Sequence, residues 1–198
     1  ERMKEHMTDY DRLTDKIQTV PDVVAATPFV FRQVLLTAQS GVQGIILRGI
    51  DPKREANVTE LAKNITAGQL LDLLTPVKVM QAPADDPQGD LRPVEKPGII
   101  LGKELALRLG VFVGDTVNVV SPVGPISAMG MVPKIRTFAV VALFHSGMFE
   151  YDSSFAYIEL SEAQKFFNLG SSVSGIEVKV TNVFRAGEIA HTIEQELG

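Results

Sequence analysis

Between two strand-like runs, Thr116–Val120 and Arg136–Phe144, lies a stretch of fourteen residues, Ser121–Lys134. A hairpin needs a turn of only two to five there. The segment has no charge before Lys134; it holds Pro122, Pro125 and Pro133, Gly124 and Gly130, and the apolar Ile126, Met129, Met131 and Val132. A loop of that length is functional or disordered, and disordered loops are rarely so apolar. If the flanking strands continue outward as an arm, seven residues each way at ~3.3 Å reach on the order of 20 Å. Such an arm carries apolar side chains into water unless a partner covers them. The competing arrangement folds it back into the domain's own core, where each such side chain gains about 1.5–3 kcal/mol on full burial. Composition leaves both open.

The 198 residues make one large domain or two small ones, able to bury about 70% of the unfolded surface. The longest unbroken apolar run, Phe138–Phe144, is far below the ~18–20 residues of a membrane span. A net charge of −5 without any Lys/Arg cluster argues against a nucleic-acid surface. Cysteine is absent, which removes disulfides and thiolate sites and decides nothing about compartment. The chain opens on Glu-Arg-Met-Lys with no initiator-like start, signal peptide or retention signal, and reads as a segment of a longer polypeptide.

Met3, Met7, Tyr10, Leu13, Ile17 and Val20 form one stripe of a helix stopped by Pro21. Strand-like runs follow at Val23–Val30, Phe31–Gln39 and Ile45–Ile50, the last two joined by a turn at 40–44 and ended by Asp51-Pro52. A short helix is expected over Asn57–Thr66, stopped by Gly68. Residues 75–98, with five prolines, read as a surface excursion with little regular structure. Gly98–Leu101 reads as a buried strand, and Gly102–Leu109 as a helix with Leu105 and Leu109 inward and Gly110 at its end. Ser153–Glu159 is a further strand, and Ser161 with Gln164 proposes a capping box for a helix ending near Leu169-Gly170. Gly175–Thr181 alternates as a half-buried strand. Phe184, Ile189, Ile193 and Leu197 line one side of a closing helix. The fold class is α+β with a mixed sheet. Both terminal helices lack a clear outer cap, as helices cut between membrane spans or simply frayed would.

Catalytic chemistry is thinly represented. His145, Ser146 and Asp152 are the residue types of a nucleophile–base set. His145 and Ser146 are adjacent, however, and point to opposite faces in a strand; no Gly-x-Ser-x-Gly elbow accompanies them. A polar strand end and turn is the better reading. Asp85, Asp86 and Asp90 form the densest acidic group, without the pattern of a calcium loop. No catalytic residue, metal site or cofactor is therefore expected.

Several stretches together resemble a known family, the LolC/LolE membrane subunits of lipoprotein-releasing ABC transporters. They are Ile46-Leu-Arg-Gly-Ile-Asp-Pro52, Gly98-Ile-Ile-Leu-Gly-Lys-Glu-Leu-Ala106, Leu109-Gly-Val-Phe-Val-Gly-Asp115, Met129-Gly-Met-Val-Pro133 and Gly170-Ser-Ser-Val-Ser-Gly-Ile176. The second and third are shared with the wider MacB-like group, efflux subunits included. The resemblance implies a MacB-like periplasmic domain at the periplasmic face of the Gram-negative inner membrane. It also implies a discontinuous porter-like subdomain (1–45 and 171–198) and a sabre-like subdomain (46–170) carrying a protruding β-hairpin hook at 121–134.

The implied function is release of outer-membrane lipoproteins and their transfer to the soluble carrier LolA, with ATP hydrolysed by a separate cytoplasmic subunit, LolD. The implied docking residues are Pro122, Pro125, Ile126, Ala128, Met129, Gly130, Met131, Val132 and Pro133 in the hook, with Arg136 at its base. The chain departs from the family at Ala128 for Pro, at Asn118 for a basic residue, and at Ile135 for Gln. The hook is LolC-like while Gly170–Ile176 is more LolE-like, which implies a homodimer rather than a LolC–LolE pair. The alternative is a MacB-like efflux or mechanotransmission subunit whose partner is a membrane-fusion protein.

Overall fold

One strand organises the molecule. In the computed structural model, which describes residues 9–82, 90–122, 126–127 and 130–197 (the backbone alone for 126–127, 130–131 and 197), β1 runs unbroken over Val23–Ala38. A tight turn at Gln39-Ser40 returns the chain as β2, Gly41–Ile50, in register from Ala38↔Gly41 to Phe29↔Ile50. The two expected runs Val23–Val30 and Phe31–Gln39 are thus one strand, and the turn is two residues rather than the five of 40–44. β1 stays continuous because its other edge changes partner, taking one strand along its first half and another at its far end.

The remaining elements arrange themselves around this hairpin. α1, Tyr10–Gln18, buries Ile17 of the expected stripe, and Thr14 beside it; Met3 and Met7 lie outside the described residues. Asp51 does more than end β2: its carboxylate accepts from Lys53 N at 3.0 Å and caps α2, Pro52–Val58, with Pro52 in the first turn. α3, Leu61–Asn64, is a single turn, and Ile65–Ala67 is strand β3. The helix expected over 57–66 is therefore two helices and a strand, divided where Thr59 takes an extended conformation. A 3-10 turn follows at Leu70–Leu74.

The stretch expected to be a surface excursion over 75–98 carries two paired strands, with residues 83–89 outside the described ones. β4, Val77–Gln81, pairs with β5, Arg92–Lys96, from Val77↔Lys96 to Gln81↔Arg92. Pro93 is tolerated because each strand of a two-stranded ribbon has a free edge that asks for no N–H. β6, Gly98–Gly102, is buried throughout, and α4, Lys103–Leu109, ends at Gly110 in the left-handed conformation (φ +64°), both as expected.

β7, Thr116–Ser121, leads into the short strands β8, Ile126–Ser127, and β9, Gly130–Met131. β10, Lys134–Phe144, follows. A helix the sequence did not announce, α5 (Phe149–Ser154), precedes β11, Phe155–Glu159. α6, Leu160–Phe167, is capped by Glu159, whose carboxylate accepts from Glu162 N at 3.1 Å; Ser161 also donates to it, and Gln164 turns inward to Ser172 O. The expected Ser161–Gln164 box is not formed, because the helix starts two residues earlier, with Glu159 rather than Ser161 as its N-cap. β12, Gly175–Val180, is half-buried along its length. A 3-10 turn, Val183–Arg185, leads into α7, Ala186–Leu197. Ile189 is buried there, but Phe184 sits in the turn with 95% of its surface exposed rather than on the helix's inner side.

Hydrogen-bonded neighbours run β12-β1-β2-β11-β6-β10-β3, with β7 joining β10 to β1. Six strands, β1-β2-β11-β6-β10-β7, therefore return to their start, with parallel pairs at β2–β11 and β6–β10. Closing a sheet on itself removes free edges. All six strands send side chains to one core, including Val30, Leu47, Ile99, Val119, Phe138 and Ile158. α4 and α6 add Leu105, Leu109, Leu160 and Phe166 to it. Gly49 lets α6 approach β2, since a Cβ there would lie 2.3 Å from the Cβ of Ala163. A second core outside the ring joins Ile50, Ile100, Phe144 and Tyr157 to Leu61, Leu70 and Leu73. The boundary expected between residues 45 and 46 falls inside β2.

Candidate functional site

β7 and β10 pair antiparallel from Thr116↔Ala139 to Ser121↔Lys134. Backbone pairing resumes farther on at Ile126↔Met131 and Ser127↔Gly130, between β8 and β9. Of the expected docking residues, Pro122, Val132 and Pro133 are exposed. Ile126, Gly130 and Met131 are placed by their backbone, and Pro125, Ala128 and Met129 lie outside the described residues.

At the base, β10 alternates its side chains between two faces. Lys134, Arg136 and Phe138 face α6. The guanidinium of Arg136 pairs with Glu162 and lies 5.6 Å from the Phe138 ring centroid. Lys134 Nζ is 3.0 Å from Asn168 Oδ1, and Lys165 Nζ reaches Glu162 Oε1 at 3.0 Å. Arg136 thus fastens β10 to α6, with a third of its side chain exposed. Asn118 is bound across the ladder, its Oδ1 accepting from Thr137 Oγ1 at 2.7 Å.

The opposite face of the same strands is apolar and open. Leu35 stands opposite both Gly44 and Val120, and Val120 opposite both Leu35 and Ile135, so one row crosses four strands. Leu35 is 42% and Ile135 63% exposed; Phe31 and Val42 are exposed on the same side of the β1–β2 hairpin. Gln33, Leu35, Gly44, Ile46 and Pro122 line a groove of 540 Å³ beside the arm's root. Sequence reasoning missed this face. The signal was in β1, where Phe29, Phe31 and Leu35 alternate with Val30, Val34 and Leu36. A strand that is apolar on both sides while one side meets water marks a surface with another use.

Beyond the other end of β10, His145, Ser146 and Asp152 do come together. The strand stops at Phe144, so adjacency no longer sends His145 and Ser146 apart. Asp152, 1% exposed, bonds His145 Nδ1 at 2.7 Å and accepts from Ser146 N at 2.8 Å and Ser146 Oγ at 2.7 Å. Burial alone would raise this carboxyl, but the Ser146 N–H and O–H and the His145 ring hold it below the usual aspartate range. Ser146 Oγ also accepts from Met148 N at 3.1 Å. The carboxylate stands between serine and histidine, so the imidazole bonds the carboxylate rather than the hydroxyl, and the depressed carboxyl is a weak base for it. The arrangement staples the turn into α5. Among the described residues no group of three His, Asp or Glu could hold a metal; Asp85 and Asp86 lie outside them. No helix among them is long and apolar enough to cross a membrane.

The family described as MacB-like periplasmic core domain matches residues 3–196. The lipoprotein-releasing system transmembrane protein LolC of Neisseria meningitidis serogroup B is 30% identical over 192 residues, covering 96% of this chain and 41% of its own length. The protein of the same name from Xylella fastidiosa is 29% identical over 194 residues, with the same shares. The chain therefore spans about two fifths of the length of these relatives. Among solved structures, the extracellular domain of the noncanonic ABC-type transporter YknZ from Gram-positive bacteria aligns with a TM-score of 0.59 at 13% identity, covering 98% of this chain and 85% of that one. The periplasmic region of MacB from Actinobacillus actinomycetemcomitans gives 0.56 at 15% identity, covering 98% and 74%. Both share its fold.

Proposed function

This chain belongs to the MacB-like periplasmic core domain family, and from that premise we propose that it is the periplasmic domain of a lipoprotein-releasing ABC transporter subunit which hands cargo to a LolA-type carrier. Support comes from the LolC-named relatives, which match nearly the whole chain. The observation that carries the docking step is the open apolar row Leu35–Val120–Ile135, at the end of the β7–β10 ladder from which the fourteen-residue segment leaves. An exposed apolar row at the segment's root offers a partner a surface to cover.

The handover is transient, so the interface is small, under ~1,200 Å² in total, and the affinity near micromolar, about −8 kcal/mol. The domain is non-catalytic, with ATP hydrolysed by a cytoplasmic subunit of the LolD type. The division into porter-like and sabre-like parts, and a homodimeric transporter, belong to the same reading.

The deciding experiment is a calorimetric titration against the LolA-type carrier of the same organism. The native chain is compared with a variant in which residues 122–133 are replaced by a short Gly/Ser turn. Binding near micromolar that vanishes in the folded variant establishes the hook. Equal binding moves the docking site elsewhere, and no binding by either leaves the efflux-type reading with a membrane-fusion partner.

A further inference from the structure

Arg48 belongs to the stretch Ile46–Pro52, whose role the docking surface does not explain. It projects from β2 on the outside of the ring, with its guanidinium 4.8 Å from the Phe29 ring centroid and its side chain 13% exposed. Its Nη2 lies 2.5 Å from Glu177 Oε2 on β12. The same guanidinium also attracts Glu55 of α2, which is 1% exposed. One cation thus serves two carboxyls, and only Glu177 holds it by a direct bond. Glu55 Oε1 accepts from Thr59 Oγ1 at 3.1 Å. Glu55 Oε2, Arg48 Nε and Thr27 Oγ1 are buried without a well-formed hydrogen bond among the described residues, and Thr27 of β1 lies near enough to Glu55 to act on its carboxyl. A carboxyl group that carries its proton gains a donor in such a place; an ionised one gains only an unshielded charge.

We propose that Glu55, Arg48 and Glu177 form a proton-operated latch that fastens α2 and β12 to the ring. It is closed while Glu55 is neutral, and it loosens when Glu55 ionises and competes with Glu177 for the one guanidinium. β12 leads directly into the Val183–Arg185 turn and α7, so the latch sits between the ring and the C-terminal element.

Among the described residues, the charges around Glu55 do not offer it another counterion. On β11, Tyr157 shares a hydrogen bond with Tyr151 of α5, and burial raises its phenol far above neutrality. Arg32 is the single charged residue of β1, and it binds Phe31 O and Ser174. In the Leu70–Leu74 turn the single charge, Asp72, bonds back to Gln69 N. Arg54, on α2 itself, is held by Asp15 of α1 and by Asp51. Lys63 of α3 and Lys179 of β12 both face Glu60. Burial, first of the causes, overrides the pull of Arg48 and pushes Glu55 up to about 7.

The sign of the pH effect follows. A carboxyl raised above its unfolded value of 4.5 gives stability that is full below that pH and is lost as the pH rises through about 7. The test is the denaturation midpoint of the chain from pH 4.5 to 8.5, beside Glu55→Gln and Glu177→Gln. Glu55→Gln should match the native chain near pH 4.5, exceed it increasingly as pH rises, and level off above about 7. Glu177→Gln frees Arg48 for Glu55, so its own pH-dependent loss should level off at a lower pH than in the native chain.

Hydrogen exchange locates the effect. At pH 8, amides of α2 and β12 should exchange faster in the native chain than in Glu55→Gln at the same pH, and the difference should disappear at pH 5. A Glu55→Gln advantage that is absent or independent of pH overturns the latch. So does an unmoved plateau in Glu177→Gln, or an exchange difference spread evenly over the ring.

Discussion

Leu35 and Val120 face each other across the seam where β1 meets β7, and their pairing closes six strands into a ring. The seam also sets the chemistry of the outer face. Val120 stands between Leu35 and Ile135 in one apolar row at the root of the arm.

Ile135 is 63% exposed, so Ile135→Gln should change stability by no more than about 0.5 kcal/mol. If the row takes part in docking, the same substitution should weaken carrier binding about tenfold, or ~1.4 kcal/mol. Calorimetry on the folded variant reads both. Unchanged affinity would confine docking to the arm itself.

Arg136 is expected to act within the fold through Glu162. A double-mutant cycle with Arg136→Ala and Glu162→Ala, followed by urea denaturation, should return a coupling of about 1 kcal/mol. A coupling near zero would leave Arg136 to the partner alone.

Asp152→Asn should destabilise the chain by about 2 kcal/mol near neutral pH, because a buried carboxylate with three donors loses its charge. The carboxyl is held below its ordinary value, so its contribution is present above about pH 3.9 and lost as the pH falls below that. The gap between native and variant midpoints should therefore shrink in acid. A gap that stays constant down to pH 2 would show that the staple works by shape rather than by charge.

Local signals were legible where one element decides its own form. Alternation placed β12, and Leu105, Leu109 and Gly110 placed α4 and its end. Length hid α5, since six residues are too few for a helical period to show. Proline misled at Pro93, because a free-edged ribbon does not need the missing N–H. Glu55 in a short polar helix looks solvated until α2 is laid on β1. The seam at Leu35–Val120 and the convergence of Arg48, Glu55 and Glu177 join residues far apart in the chain, and no local pattern encodes such meetings. The open face beside the end of β7 needed the register of four strands, which no local pattern carries.

The seam joins β1 to β7 by only three rungs, while β7 holds β10 by six. The ring is therefore held more lightly at β1–β7 than at β7–β10. A load drawn through the end of β7 would be felt at this seam as peeling, rung by rung, beginning at Leu35–Val120. The ring is built like a bracelet whose clasp lies beside the handle.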